Sequence, residues 1–228
     1  MEKIKAPIVS SDLRSHMIEV PEVINRASGI RVLGKLIRSI VFTTDVAIVR
    51  NINANAVIAV YPFTPQAAIT HAIITAAEMP VFCGVGGGLT RGQRVQQLAR
   101  DAESQGALGV VVNAPTPNKT IEMIEDVIDI PIIVTVVSDD PDIIPGRLKA
   151  GADIVNVSGA AQTAKIVRRL REHYLDLPIM ATGGPNEESI LETIEAGANA
   201  ITYPPPTNGE LFKGTMERYR AQAAKGDL

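Results

Sequence analysis

A single (β/α)8 TIM barrel spanning residues 1–228, with a short amino-terminal helical cap over residues 1–30, is the fold that three features of this sequence predict. Eight short apolar runs recur, each followed by a polar or Gly/Pro loop and a helix-like segment. The way the runs begin alternates in kind. The alanines at 54, 107, 152 and 198, which open alternate runs, are separated by 53, 45 and 46 residues, close to one two-strand unit each.

The elements follow in chain order. Within the cap, VPEVINRASG reads as a short helix. The first run, near Ser39 to Phe42, lies in RVLGKLIRSIVFTT, which accommodates a strand at several registers; VAIVRNIN after it reads as a helix. The next runs fall near Val57 to Tyr61, Val81 to Gly84, Gly109 to Asn113, Ile132 to Val137, Ile154 to Ser158, Ile179 to Thr182 and Ala200 to Tyr203. Runs three, five and seven begin after a proline, in MPVFCG, IPIIVT and LPIMAT, where a strand's first residue loses no ladder bond to the missing N–H. Runs two, four, six and eight begin in NANAVIAV, QGALGVVV, AGADIVNV and AGANAITY, whose small residues suit a helix end with a glycine at positive φ. The polar tail, residues 220–228, is expected to fray. An open doubly wound sheet is the rival architecture, and the count and alternation of runs favour closure.

Composition agrees. The chain is 46% hydrophobic and 4% aromatic with no Trp, so its core is built from Ile, Val, Leu and Ala, the residues of buried parallel strands. A net charge of −3 provides no basic field for nucleic acid. No continuously apolar stretch approaches the roughly 18–20 residues a membrane span needs, and the amino terminus lacks the apolar run of a secretory signal. The lone Cys83 suits a reducing compartment. These features predict a cytoplasmic protein that binds a small molecule, with neither nucleic acid nor membrane as partner. Self-association is expected from apolar helical stretches such as AAITHAIITAA, Ala67 to Ala77, whose alternative role is packing on the barrel.

In such a barrel the site lies at the carboxyl ends of the strands. Those ends carry Thr43, Thr44, Asp45, Tyr61, Cys83, the glycines of GVGGGLTRGQR, Asn113, Thr116, Ser138, Asp139, Asp140, Asn156, Ser158, Thr182, Gly183, Gly184 and Tyr203. The Gly84 to Arg94 segment lacks GxGxxG spacing, because Leu89 stands where the third glycine would be, and Asn113 rather than an acid ends the next strand. It reads as a mobile loop or a close backbone approach to a ligand, with Arg91 as an anion partner.

The segment Pro178 to Gly184 followed by ESILETIEAGANAI resembles the closing quarter of the phosphate-binding β/α barrels, a group that includes the keto-deoxy-phosphogluconate aldolases, thiamine-phosphate synthase, the mannosamine-phosphate epimerases and the histidine-biosynthesis barrels. The resemblance implies a phosphate held by backbone amides after strands seven and eight. Gly183 and Gly184, with Thr182 before them, match the first half. In the second half Tyr203-Pro204-Pro205-Pro206 departs from the pattern and leaves Thr207-Asn208-Gly209-Glu210. An anion there would touch Gly183, Gly184, Asn208 and Gly209, with Arg91 or Lys119 supplying positive charge. Two alternatives stand beside it: Thr182-Gly183-Gly184 as a tight turn, and Thr207 with Glu210 as a capping box that uses its own amides. Glu187 and Glu188 oppose an anion in either case. The strand-six lysine of the Schiff-base aldolases among these relatives is absent, since that strand reads DIVNVSG.

Asp45, Asp139 and Asp140 are the carboxylates placed to act as general bases, with Asp45 and Asp139 the candidates chosen, or as ligands to a divalent metal ion with substrate oxygens; their alternative role is to cap the following helices. None of the histidines, His16, His71 and His173, ends a strand, and Cys83 reads as a small buried hydrophobe. Two functions remain open. The first is a lyase or isomerase for a small oxygen-rich, possibly phosphorylated metabolite, in which an aspartate removes a proton while Asn113, Asn156 and Thr135 orient oxygens. The second is a barrel that binds a ligand, or serves in an assembly, without catalysis.

Overall fold

The computed structural model describes Pro7, Val9, Ser11, residues 17–138, Asp140 and residues 142–225. Two short strands, β1 (Ile30–Val32) and β2 (Lys35–Ile37), form an antiparallel hairpin. Eight parallel strands follow: β3 (Ser39–Phe42), β4 (Ala56–Ala59), β5 (Val81–Gly86), β6 (Gly109–Val112), β7 (Ile132–Val136), β8 (Ile154–Val157), β9 (Ile179–Thr182) and β10 (Ala200–Tyr203). They close in the order β10-β3-β4-β5-β6-β7-β8-β9. The helices between them are α1 (Val46–Arg50), α2 (Ala67–Ala76), α3 (Gln93–Ser104), α4 (Asn118–Glu125), α5 (Ile143–Lys149), α6 (Thr163–His173), α7 (Glu187–Glu195) and α8 (Asn208–Lys225). The eight predicted runs are the eight barrel strands, so the chain is a (β/α)8 TIM barrel.

The cap differs from the expected helix alone. Glu22–Arg26 is a single 3-10 turn, and the hairpin β1–β2 stands between it and the barrel. The ambiguity of RVLGKLIRSIVFTT resolves into a turn at Leu33-Gly34, with φ of 45° and 84°, which folds one apolar stretch into three strands. Ile30, Val32 and Ile37 of the hairpin pack with Ile40, Ala56, Phe82, Leu108 and Met180 in one buried cluster, so the hairpin plugs the amino-terminal end of the barrel. Lys35 is exposed, as expected of a lysine at the barrel bottom. In the tail, residues 220–225 continue α8 and so depart from the predicted fraying; the last three residues lie outside the described set.

The alternating starts have a structural cause beyond the prolines. Gly106, Gly151 and Gly197 take φ of +93°, +105° and +110°, ending α3, α5 and α7 as the Gly-Ala pattern predicts. The Asx residue two positions after Gly151 and Gly197 then caps a neighbouring strand. Asp153 Oδ2 accepts from the Ile132 amide at 2.8 Å, and Asn199 Oδ1 accepts from the Ile179 amide at 3.0 Å. Asn55 does the same for the amides of Arg38 and Ser39, at 3.0 and 3.1 Å. Arg171 on α6 locks this end: its guanidinium donates to the carbonyls of Gly197, Tyr174 and Leu175 and to Asn199 Oδ1.

Along each strand, one parity faces the helices and the other faces the barrel axis. Val155, Val157, Ile179, Ala181 and Ile201 pack outward among α6 and α7, while Ile133, Ile154, Met180 and Ala200 fill the interior with the hairpin. α2 buries Thr70 and Ile73, half-buries Ile69 and Ile74, and presents Ala67, Ala68, His71, Ala72 and Thr75 outward. Its isoleucines therefore pack on the barrel.

Candidate functional site

Two residues above the interior layer of Ile133, Ile154, Met180 and Ala200, the inward parity brings Thr135, Asn156, Thr182 and Thr202 to the carboxyl-terminal mouth. They line a cavity of about 290 Å³ together with Ser158 and Asn113. The opposite arc is mainly apolar, with Phe42, Ile58, Val60 and Val111, while Pro204 follows β10. The mouth is thus divided, with the hydroxyls and Asn156 on the β7–β10 side and hydrocarbon on β3, β4 and β6, Asn113 after β6 being the polar exception. Every described residue lining it is uncharged.

Two atoms set this cavity apart from a filled barrel end. Asn156 and Thr202 are 8% and 4% exposed, and Asn156 Oδ1 and Thr202 Oγ1 have no hydrogen-bond partner among the described residues. A buried oxygen left unpaired costs about 1–3 kcal/mol, so both are poised to meet a ligand's donors. Thr182 Oγ1 and Ser158 Oγ lie 3.4 Å apart beside them. Asn113 is held from behind. Arg147 on α5 donates to the carbonyls of Thr116 and Ala114 and to Asn118 Oδ1, which braces the loop after β6. Burial lowers the pKa of this guanidinium from its ordinary value without displacing its charge.

Four predicted residues, Asn113, Thr135, Asn156 and Thr182, therefore converge. The other described ones do not join them. Asp45 is the N-cap of α1, accepting from the amides of Ala47 and Ile48 at 2.9 and 3.2 Å, and its second oxygen accepts from Asn208 Nδ2 at 2.5 Å. Its carboxylate is occupied by structure, and it does not line the mouth. Asp139 lies outside the described residues, as does His16. Asp140 Oδ1 accepts from the Asp142 amide at 3.0 Å, in the turn leading into α5.

One amide of the expected anion cradle has another engagement, and the residues around the others compete with an anion. The Gly183 N–H donates to the Thr202 carbonyl at 3.3 Å. A Cβ at Gly183 would stand 2.7 Å from Ile201 Cγ2 and 2.8 Å from Ile190 Cγ1, which gives a packing reason for this glycine. Gly184, at φ +83°, turns the chain against Ser189, whose capping box with Asn186 begins α7. At α8, Glu210 Oε2 accepts from the Thr207 amide and hydroxyl at 2.7 and 2.8 Å, and these bonds hold its carboxyl below the usual range. That carboxylate takes up the Thr207 donors at the start of α8 and places negative charge there. Arg91 Nε donates to its own loop at the Gly88 carbonyl, 2.9 Å away, and Lys119 pairs with Glu122 at 3.3 Å; neither lines the mouth. Among the described residues, no three His, Cys, Asp or Glu side chains group as a metal site. Cys83 is buried in the outer layer, which pushes its thiol up to about 12, as a small hydrophobe.

Thr202 is the residue that sequence reasoning missed. Its signal was the parity of AITY: with Ala200 inward, Thr202 is inward too.

Fold and mouth together define a β/α barrel with a neutral, half-polar mouth. No family model matches the sequence, and no curated protein matches it. Among solved structures, the chain is similar to a 2,3-dimethylmalate lyase, a member of the PEP mutase/isocitrate lyase superfamily (13% identity, 90% of this chain and 83% of that one, TM-score 0.65). It is also similar to phosphoenolpyruvate phosphomutase from Streptomyces platensis subsp. rosaceus (15% identity, 90% and 86%, TM-score 0.61). A third similar structure is phosphonopyruvate hydrolase, solved with oxalate and Mg++ (11% identity, 89% and 87%, TM-score 0.63). At such identities the likeness establishes the barrel architecture.

Proposed function

We propose that this barrel binds a small, oxygen-rich metabolite in its mouth. One observation carries the reading: Asn156 and Thr202 line the same cavity, and Asn156 Oδ1 and Thr202 Oγ1 are buried and unpaired among the described residues. A ligand hydroxyl donated to each would remove two desolvation penalties at once, and Thr135, Ser158 and Thr182 supply further hydroxyls around it. The uncharged lining favours hydrogen-bonded orientation over charge pairing, so a phosphate is the less suited head group.

Lyase or isomerase chemistry on that ligand is the second reading, favoured by the dimethylmalate lyase and phosphomutase among the similar structures. It requires a proton acceptor. With Asp45 committed to α1 and Asn208, Asp139 is the aspartate assigned to that role.

The test is a thermal-shift screen of polyols, hydroxy acids, oxo acids and their phosphates. A true ligand at 100 times its Kd adds about 2.7 kcal/mol of stability. The expected hit is an unphosphorylated hydroxylated compound whose shift disappears in Asn156→Ala. A hit unaffected by Asn156→Ala refutes the mouth as its site. Turnover of the hit, followed by NMR and lost in Asp139→Asn, establishes the enzyme; a hit that binds and stays intact leaves a binding barrel.

A further inference from the structure

We infer that the ligand is an amphiphile, with a hydroxylated head on the β7–β10 arc and a short apolar chain leaving over Gly84 into a crevice between the loops after β4 and β5. This rests on the mouth reading above and adds the class of ligand. The crevice, about 200 Å³, is walled by Tyr61, Phe63 and Leu89. It abuts the mouth at Val60 and Asn113, which line both cavities.

The passage between them has a cause in the strand pattern. Phe82 faces inward on β5, and two residues on, at the next inward position, stands Gly84. A Cβ there would come within 3.1 Å of the Ala59 carbonyl and of Val60 Cγ2. β5 therefore adds no side chain to the wall there, and Val60, just after β4, packs closely against it where the two cavities meet.

Phe63 and Leu89 are 74% and 99% exposed at the rim. A compact head held by Asn156 and Thr202 does not reach them, whereas a chain running out along Val60 covers both. Tyr61 is turned to structure, its hydroxyl accepting from the Gln66 amide at 2.8 Å, which leaves its ring as wall. Among the described residues no carboxylate, amine or guanidinium lines either cavity, so both the head and the chain are uncharged where they touch these residues.

The experiment uses the full chain and the homologous 1,2-alkanediols from propane-1,2-diol to octane-1,2-diol, with affinities from ligand-observed NMR. Affinity is expected to rise about two- to fourfold per added methylene, the upper value corresponding to full burial. Phe63→Ser and Leu89→Ser, both at exposed positions, should flatten that rise and leave the shortest diol unchanged. Thr202→Val should weaken every member by a similar factor, and Asn156→Ala serves as its independent counterpart. Affinity that is flat with chain length, or a rise that survives both rim substitutions, overturns the amphiphile and spares the mouth reading. A length dependence that responds to the rim but ignores Thr202→Val and Asn156→Ala overturns both, and identifies the rim as an apolar contact surface of another kind. No saturable binding by any member, up to its solubility, also overturns the inference.

Discussion

Replacing Thr202 by valine should make this protein more stable while weakening its ligand binding. Thr202 is 4% exposed and its Oγ1 has no partner among the described residues. A buried hydroxyl without a hydrogen bond costs about 1–3 kcal/mol. The residue lines a cavity of about 290 Å³, from which small side-chain adjustments can bring water to the hydroxyl, so the lower end of that range applies. Valine keeps the branched shape and its fit to a strand, so little packing is lost. The free protein should gain about 1 kcal/mol, or roughly 2–4 °C in Tm for a chain of this size. Urea denaturation at constant m, with a parallel thermal scan, measures it. A loss of about 1 kcal/mol or more would show that the hydroxyl already serves the fold, and the argument that it waits for a ligand would fail.

Arg171→Ala should be the costliest of the remaining changes. It strips donors from the carbonyls of Gly197, Tyr174 and Leu175 and from Asn199 Oδ1, with an expected loss of about 3 kcal/mol and roughly 6–12 °C in Tm; a melting point equal to the parent's refutes it. Gly183→Ala should destabilise by about 1–3 kcal/mol through overpacking against Ile201 and Ile190. Because the cause is steric, denaturation should show this with and without phosphate, and a neutral result would return Gly183 to the anion reading. Cys83 should resist thiol reagents in the native protein at pH 8 and react once urea unfolds it. Its thiol is pushed up to about 12 by burial, so above the unfolded value near 9 the unfolded chain binds fewer protons than the native one. Stability therefore falls as pH rises from about 9 towards 12, and Cys83→Ala should remove that part of the fall.

The strands were legible because their signals are local. A proline before a strand, a glycine after a helix and a run of four apolar residues each act within a few positions, and the repeat multiplies them. That is why β9 and β10 fall on the predicted residues. Long-range contacts decided the rest. Strands buried on both faces read as continuous apolar runs, and such runs do not state which parity turns inward. Closure settled it by setting Met180 and Ala200 against the hairpin, and that placed Thr182 and Thr202 two residues above. The fate of the predicted site has the same cause. Asp45 read as a base or a cap until the fold brought Asn208 to it across 163 positions of sequence, and the Gly183 amide looked free until β10 offered the Thr202 carbonyl. Residue type announces what a group can do, but only the packed neighbours decide whether its hydrogen-bonding capacity is already used.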